Sequence, residues 1–127
     1  MITSTFNNEL SILETEFKGP ISRKEIIDYL SSFNKKNCYP KILKTIIDAT
    51  EASAKFSFAD IQAFNNEKNK FVDNYDLLIS AVIINNPSTA AIGTLYGAIA
   101  SNHKYKYKVF STHEAALFWI NSFSILI

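Results

Sequence analysis

Apolar and polar positions change period several times along this chain, and each change marks an element. Glu9 to Phe17 alternates imperfectly, with Leu10 and Ile12 on one parity and Leu13 and Phe17 on the other, as a half-buried strand does. Thr3 to Asn7 reads as a short strand before it, and Gly19-Pro20 as a turn. Ser22-Arg23-Lys24-Glu25 has the serine-to-glutamate spacing of a capping box. Ile26, Ile27, Leu30 and Phe33 then recur at helical spacing until Asn37-Cys38-Tyr39-Pro40 ends the helix. Ile42 to Asp48 is a buried strand, and Ser57-Phe58-Ala59-Asp60 starts a second helix whose stripe is Ile61, Phe64, Phe71 and Val72. Leu77 to Ile84 is apolar on both parities, the pattern of a strand covered on two faces by helices.

Asn86-Pro87 opens a third helix with the stripe Ile92, Leu95, Tyr96 and Ile99. Tyr105, Tyr107 and Val109 alternate with Lys104, Lys106 and Lys108 in a last strand. That spacing places lysines on one face and tyrosines on the other, as on an edge strand whose lysines deter further pairing. Ser111-Thr112-His113-Glu114 reads as a third capping box, and Ala116, Trp119, Ile120 and Phe123 continue a fourth helix. The order β(β)αβαβαβα predicts one α/β domain over residues 1–127. Its expected core is a four- to five-stranded, mostly parallel mixed sheet flanked by four helices.

Composition removes whole classes of function. With 127 residues and 47% hydrophobic content the chain can bury a real core. A formal charge of +1 gives no electrostatic case for nucleic acid. Cys38 is the only cysteine, so no disulfide can form within the chain, and the expected compartment is cytoplasmic. With His103 and His113 it makes too few soft ligands for a structural zinc site, so no metal is expected. The N-terminus lacks a basic start and an apolar core, so no signal peptide is expected. No apolar run approaches the ~20 residues of a membrane span. Only three glycines occur, too few for a phosphate loop or a dinucleotide fingerprint. No cofactor is expected.

The buried strand ending in Asp48, the helix beginning near Phe56-Ser57, and the run Val109-Phe110-Ser111-Thr112-His113-Glu114-Ala115-Ala116-Leu117-Phe118-Trp119-Ile120 carry a resemblance. Element order and these landmarks resemble the STAS superfamily, closest to the small stand-alone bacterial proteins with the sporulation antagonist fold. The resemblance implies a non-enzymatic module that binds or regulates through a protein partner. Antagonists of that family carry a phosphorylatable serine in an Asp-Ser-Ser-Gly segment. Here Ser53 to Asp60 lacks that run and its glycine, and only Ser57 stands near the place.

Ligands of open α/β sheets gather beyond the carboxyl ends of parallel strands. Asp48, Thr50, Ser57, Asn86, Ser88 and Ser111 are therefore the candidate binding residues, beside helix N-termini that suit an anion. Asp48 with Glu51, or His113 with a nearby hydroxyl, could do acid–base work, but no nucleophile motif accompanies them. Catalytic residues are expected to be none. Gly93 and Gly97 share a helix face and predict close packing of that helix on the sheet. Tyr96, Phe118, Trp119 and Phe123 are candidates for an apolar pocket or a homodimer surface. The two function classes in view are a module that captures a protein partner and a carrier or sensor of a small apolar or amphipathic ligand.

Overall fold

Near its N-terminus the chain turns back on itself. The computed structural model describes residues 1–35 and 39–123. In it Ile2–Asn7 (β1) pairs antiparallel with Ile12–Pro20 (β2). The side-chain oxygen of Asn7 accepts from the backbone N–H groups of Glu9 and Leu10 at 3.0 and 3.1 Å, and Ser11 sits at φ 56. This Asx-type turn delays the strand expected from Glu9 until Ile12.

Gly19-Pro20 is part of β2 and not a turn. Gly19 pairs with Ala52 and Pro20 with Ser53 of the next strand. The register with β1 ends at Phe17, so at Pro20 one side of β2 is already an edge, where a missing N–H breaks no ladder. Gly19 has φ +72, a conformation that costs a side-chain-bearing residue.

Arg23–Lys35 (α1) starts at the expected capping box. The Glu25 N–H donates to Ser22 Oγ and the Ser22 N–H donates to Glu25 Oε1, both at 3.1 Å. Its expected end at Asn37-Cys38-Tyr39-Pro40 falls largely outside the described residues. The remaining elements are β3 (Ile42–Ser53), α2 (Phe58–Phe71), a short 3-10 turn (Val72–Asn74), β4 (Leu77–Ile83), α3 (Pro87–Ala100), β5 (Tyr105–Phe110) and α4 (His113–Asn121).

The five strands lie side by side in chain order, β1-β2-β3-β4-β5, with β2 to β5 parallel. That order decides where the helices go. Each parallel crossover is right-handed, and each steps the same way across the sheet, so α1, α2 and α3 fall on one face. Leu30 and Phe33 of α1, Ile61, Phe64 and Phe71 of α2, and Tyr96 and Ala100 of α3 pack there over Leu13, Leu43, Leu78 and Tyr105. Among the described residues only α4, which follows the last strand, covers the other face. Its Ala116 and Ile120 sit on Ile12, Ile46, Ile79, Ala81 and Ile83. The two-sided apolar pattern of β4 is thus explained by three helices against one.

Two interactions tie α3 down. Gly93 and Gly97 face the sheet, and a Cβ on Gly97 would stand 2.9 Å from Cδ1 of Tyr107. Absence of those side chains is what lets the helix approach. At its far end, Lys68 of α2 is 2% exposed and its ammonium donates to the Ala100 carbonyl at 2.9 Å. A cation is favourable at a helix C-terminus, and the same group lies 5.3 Å from the centre of the Tyr105 ring.

Candidate functional site

β3 is longer than its sequence pattern suggests, and the reason lies at Asp48. Glu16 pairs with Asp48, but Lys18 pairs with Glu51. Ala49 and Thr50 therefore stand against Phe17 alone, which is a β-bulge. Asp48 Oδ1 accepts from the Thr50 N–H at 3.0 Å and from the Thr50 hydroxyl at 2.7 Å, holding the extra residue in place. A bulge shifts the side-chain alternation by one. Ile47 and Ala49 face the three-helix side before it, and Ala52 takes up the same side after it. The sequence pattern ends the strand at Asp48 and puts Thr50 past it, both at the loop end of the sheet. Both are instead interior to β3, which runs on to Ser53.

The shift leaves small residues facing the helices, and a cavity of about 110 Å³ opens there. Ala49, Ala52 and Ala54 line it from β3 and the segment after it, Tyr29 and Phe33 from α1, and Phe56 and Phe64 from around the start of α2. Gly93 and Tyr96 come from α3, and Tyr105 and Tyr107 from β5. Phe17, Ala52, Ala54, Phe56 and Thr89 are half-exposed lining residues. All five lie toward the carboxyl end of the parallel strands and mark the mouth. No charged side chain is among the lining residues. Burial pushes the phenols of Tyr29, Tyr96, Tyr105 and Tyr107 well above their ordinary pKa, so all four are neutral donors near pH 7.

The loop-end candidates hold local structure. Ser57 caps α2, accepting from the Asp60 N–H at 3.1 Å while the Ser57 N–H donates to Asp60 Oδ2 at 3.0 Å. Arg23 pairs with the same carboxylate at 3.3 Å. Asn86 caps α3, accepting from the N–H groups of Ser88 and Thr89. At α4 the cap is Thr112, which accepts from the Ala115 N–H at 3.2 Å, and not Ser111. Glu114 is one residue out of register for a box, so the third capping box is a single cap.

Ser57, Asn86, Ser88 and Ser111 all lie at the carboxyl end of the sheet, but Asp48 is set apart from them. It occupies the row Glu16, Asp48, Ile83, Phe110 across four strands, which is the α4 face. The four apolar candidates are divided in the same way. Tyr96 lines the cavity, whereas the Trp119 ring packs on Phe110 at 5.5 Å and on Phe123 at 5.1 Å, on the α4 side of the sheet. Phe118 is 80% exposed. Trp119 is therefore on the wrong side of the sheet to report on the cavity, and the tyrosines are its natural reporters. Sequence reasoning singles out neither Tyr29 nor Phe56. Tyr29 stands one helical turn before Phe33, a spacing that marks it for the same face, but nothing local indicates that Phe56 turns inward.

These features define a class: an α/β domain with the SpoIIAA-like, or STAS, fold, carrying a small apolar cavity at the carboxyl end of its parallel sheet. A solved structure similar to it is an uncharacterised protein of the DUF3478 family with a SpoIIAA-like fold, from Shewanella loihica PV-4. The two are 14% identical, with a TM-score of 0.60 over 94% of this chain and 93% of that one. No family model and no curated protein matches the sequence. Among the described residues no group of three or more His, Cys, Asp or Glu is placed to hold a metal, and no helix is long and apolar enough to cross a membrane.

Proposed function

We propose that this chain is a non-enzymatic binding module that takes a small apolar or amphipathic molecule into the cavity between the sheet and α1, α2 and α3. The observation that carries the reading is the cavity itself, about 110 Å³ with an almost wholly apolar wall. Close-packed interiors leave few such voids, and a concave apolar site with a few polar groups is the common form of a small-molecule pocket. Its mouth is at the carboxyl end of the strands, where sheets of this kind bind their ligands.

Native mass spectrometry tests it. The chain, 14.3 kDa, is sprayed alone and after incubation with a panel of small neutral apolar compounds. Added mass that is released on denaturation supports the reading. A bare mass across the whole panel, with no shift in melting temperature, refutes it.

One observation favours a second reading, capture of a protein partner at the same end. Phe58, in the first turn of α2 next to the cap Ser57, is 56% exposed. An exposed aromatic of this kind can serve as an interface anchor. Under this reading Phe58→Ala and Ser88→Ala leave the fold intact and weaken capture of a defined partner. Equal capture by both variants would sink it.

A further inference from the structure

Six residues of the cavity wall carry hydroxyls, and the protein itself uses four of them. Tyr29 shares a hydrogen bond with Thr15 Oγ1 at 3.3 Å, Ser80 Oγ accepts from the Thr45 hydroxyl at 2.9 Å, and Tyr96 and Tyr105 share one at 3.1 Å. Thr89 and Tyr107 are half-exposed, and neither hydroxyl is a buried group without a partner. Among the described residues the one buried side-chain oxygen or nitrogen that lacks a hydrogen-bond partner is Asn65 Oδ1, and Asn65 does not line the cavity. The wall therefore holds no buried polar side chain that waits for a ligand.

Size and charge narrow the occupant further. An apolar cavity of about 150 Å³ stays dry and takes up benzene, so one of about 110 Å³ accepts a single small ring or similar bulk and not a long acyl chain. No charged side chain lines it to offset an ionised group. On a ligand small enough to lie inside, a hydrogen-bonding atom leaves water and meets no partner, a cost that a carbon atom in its place does not bear. Resting on the ligand-binding reading above, we propose that the cavity takes a wholly apolar molecule about the size of one small ring. It discriminates against molecules of the same shape that carry a hydrogen-bonding oxygen or nitrogen, and the amphipathic class is thereby set aside.

Benzene and pyridine have nearly the same shape and differ in one acceptor nitrogen, which is uncharged in mildly alkaline buffer. Each is titrated into the chain, with binding followed by the methyl chemical shifts of Ile47, Val82 and Ile92, all in the cavity wall. Benzene is expected to move these methyls saturably at millimolar concentration. Pyridine is expected to bind at least about ten-fold more weakly, the cost of one buried acceptor left without a partner. Should pyridine bind as tightly as benzene or more so, the ligand class is wrong but the pocket stands. Should neither probe move these methyls, the pocket reading fails and takes the ligand class with it.

Discussion

Asp48 has the look of a site residue: a carboxylate at the end of an apolar run, where α/β proteins keep their chemistry. Its two hydrogen bonds to Thr50 assign it a structural task, fastening the bulge that turns Ala52 toward the cavity. Asp48→Ala is expected to destabilise the fold by about 1 kcal/mol, since a half-buried bulge loses its acceptor. Asp48→Asn keeps the Oδ1 acceptor and should cost clearly less. Urea denaturation of the three proteins checks the order, and equal losses in both variants would show that the charge matters and not the clamp. Ser57 and Asn86 also hold local structure. Their cap roles were legible from spacing because a cap is a local bond, made within three residues.

At the scale of elements, α3 depends on what it lacks. Replacing glycine by alanine in a helix gains about 1 kcal/mol of propensity. At Gly97 the new Cβ would stand 2.9 Å from the base of the Tyr107 ring, and overpacking of that kind costs about 1–3 kcal/mol. Gly97→Ala is therefore expected to be net destabilising. At Gly93 the nearest atoms are methyl ends, Val109 Cγ2 at 3.1 Å and Ile84 Cδ1 at 3.2 Å, which can give way. Gly93→Ala should then fall within about 1 kcal/mol of the wild type. Thermal melts compare the two, and a Gly97→Ala variant as stable as the wild type would mean that α3 can slide. The Gly-x-x-x-Gly spacing announced close packing in the sequence, but not against which residue.

For the whole molecule, buried phenols and one buried amine set the response to alkali. Lys68 is desolvated, which lowers its pKa in the folded state below the usual 10.5. The unfolded chain then binds the extra proton, so stability rises with pH through the window between those two values. Tyr29, Tyr96, Tyr105 and Tyr107 are shifted the other way, upward from 10.0 by burial. Above pH 10 the unfolded chain releases phenolic protons that the folded chain keeps, so stability falls as pH rises further. Melting temperature should accordingly climb toward a maximum near pH 10 and then drop steeply. Absorbance at 295 nm should show these four phenols ionising only with unfolding. Titration of all the tyrosines near pH 10 in a still-folded chain would contradict the packing described here.

Much of the architecture was readable in the sequence because it rests on local or periodic signals. The helical stripes, the first two capping boxes, the lysine–tyrosine alternation of β5 and the α/β order with its STAS resemblance are all of that kind. Each depends on residues within a turn or two of one another, or on a repeat of 2 or 3.6. What the fold alone decided is non-local. Strand order placed three helices on one face and one on the other, parting Tyr96 from Trp119 although both lie on apolar helical stripes. The pairing of β2 with β3 drew Gly19-Pro20 into a strand and stretched β3 through a bulge to Ser53. The cavity follows from that bulge and from two glycines on another element. No window of sequence contains it, because volume is left over only when distant surfaces meet.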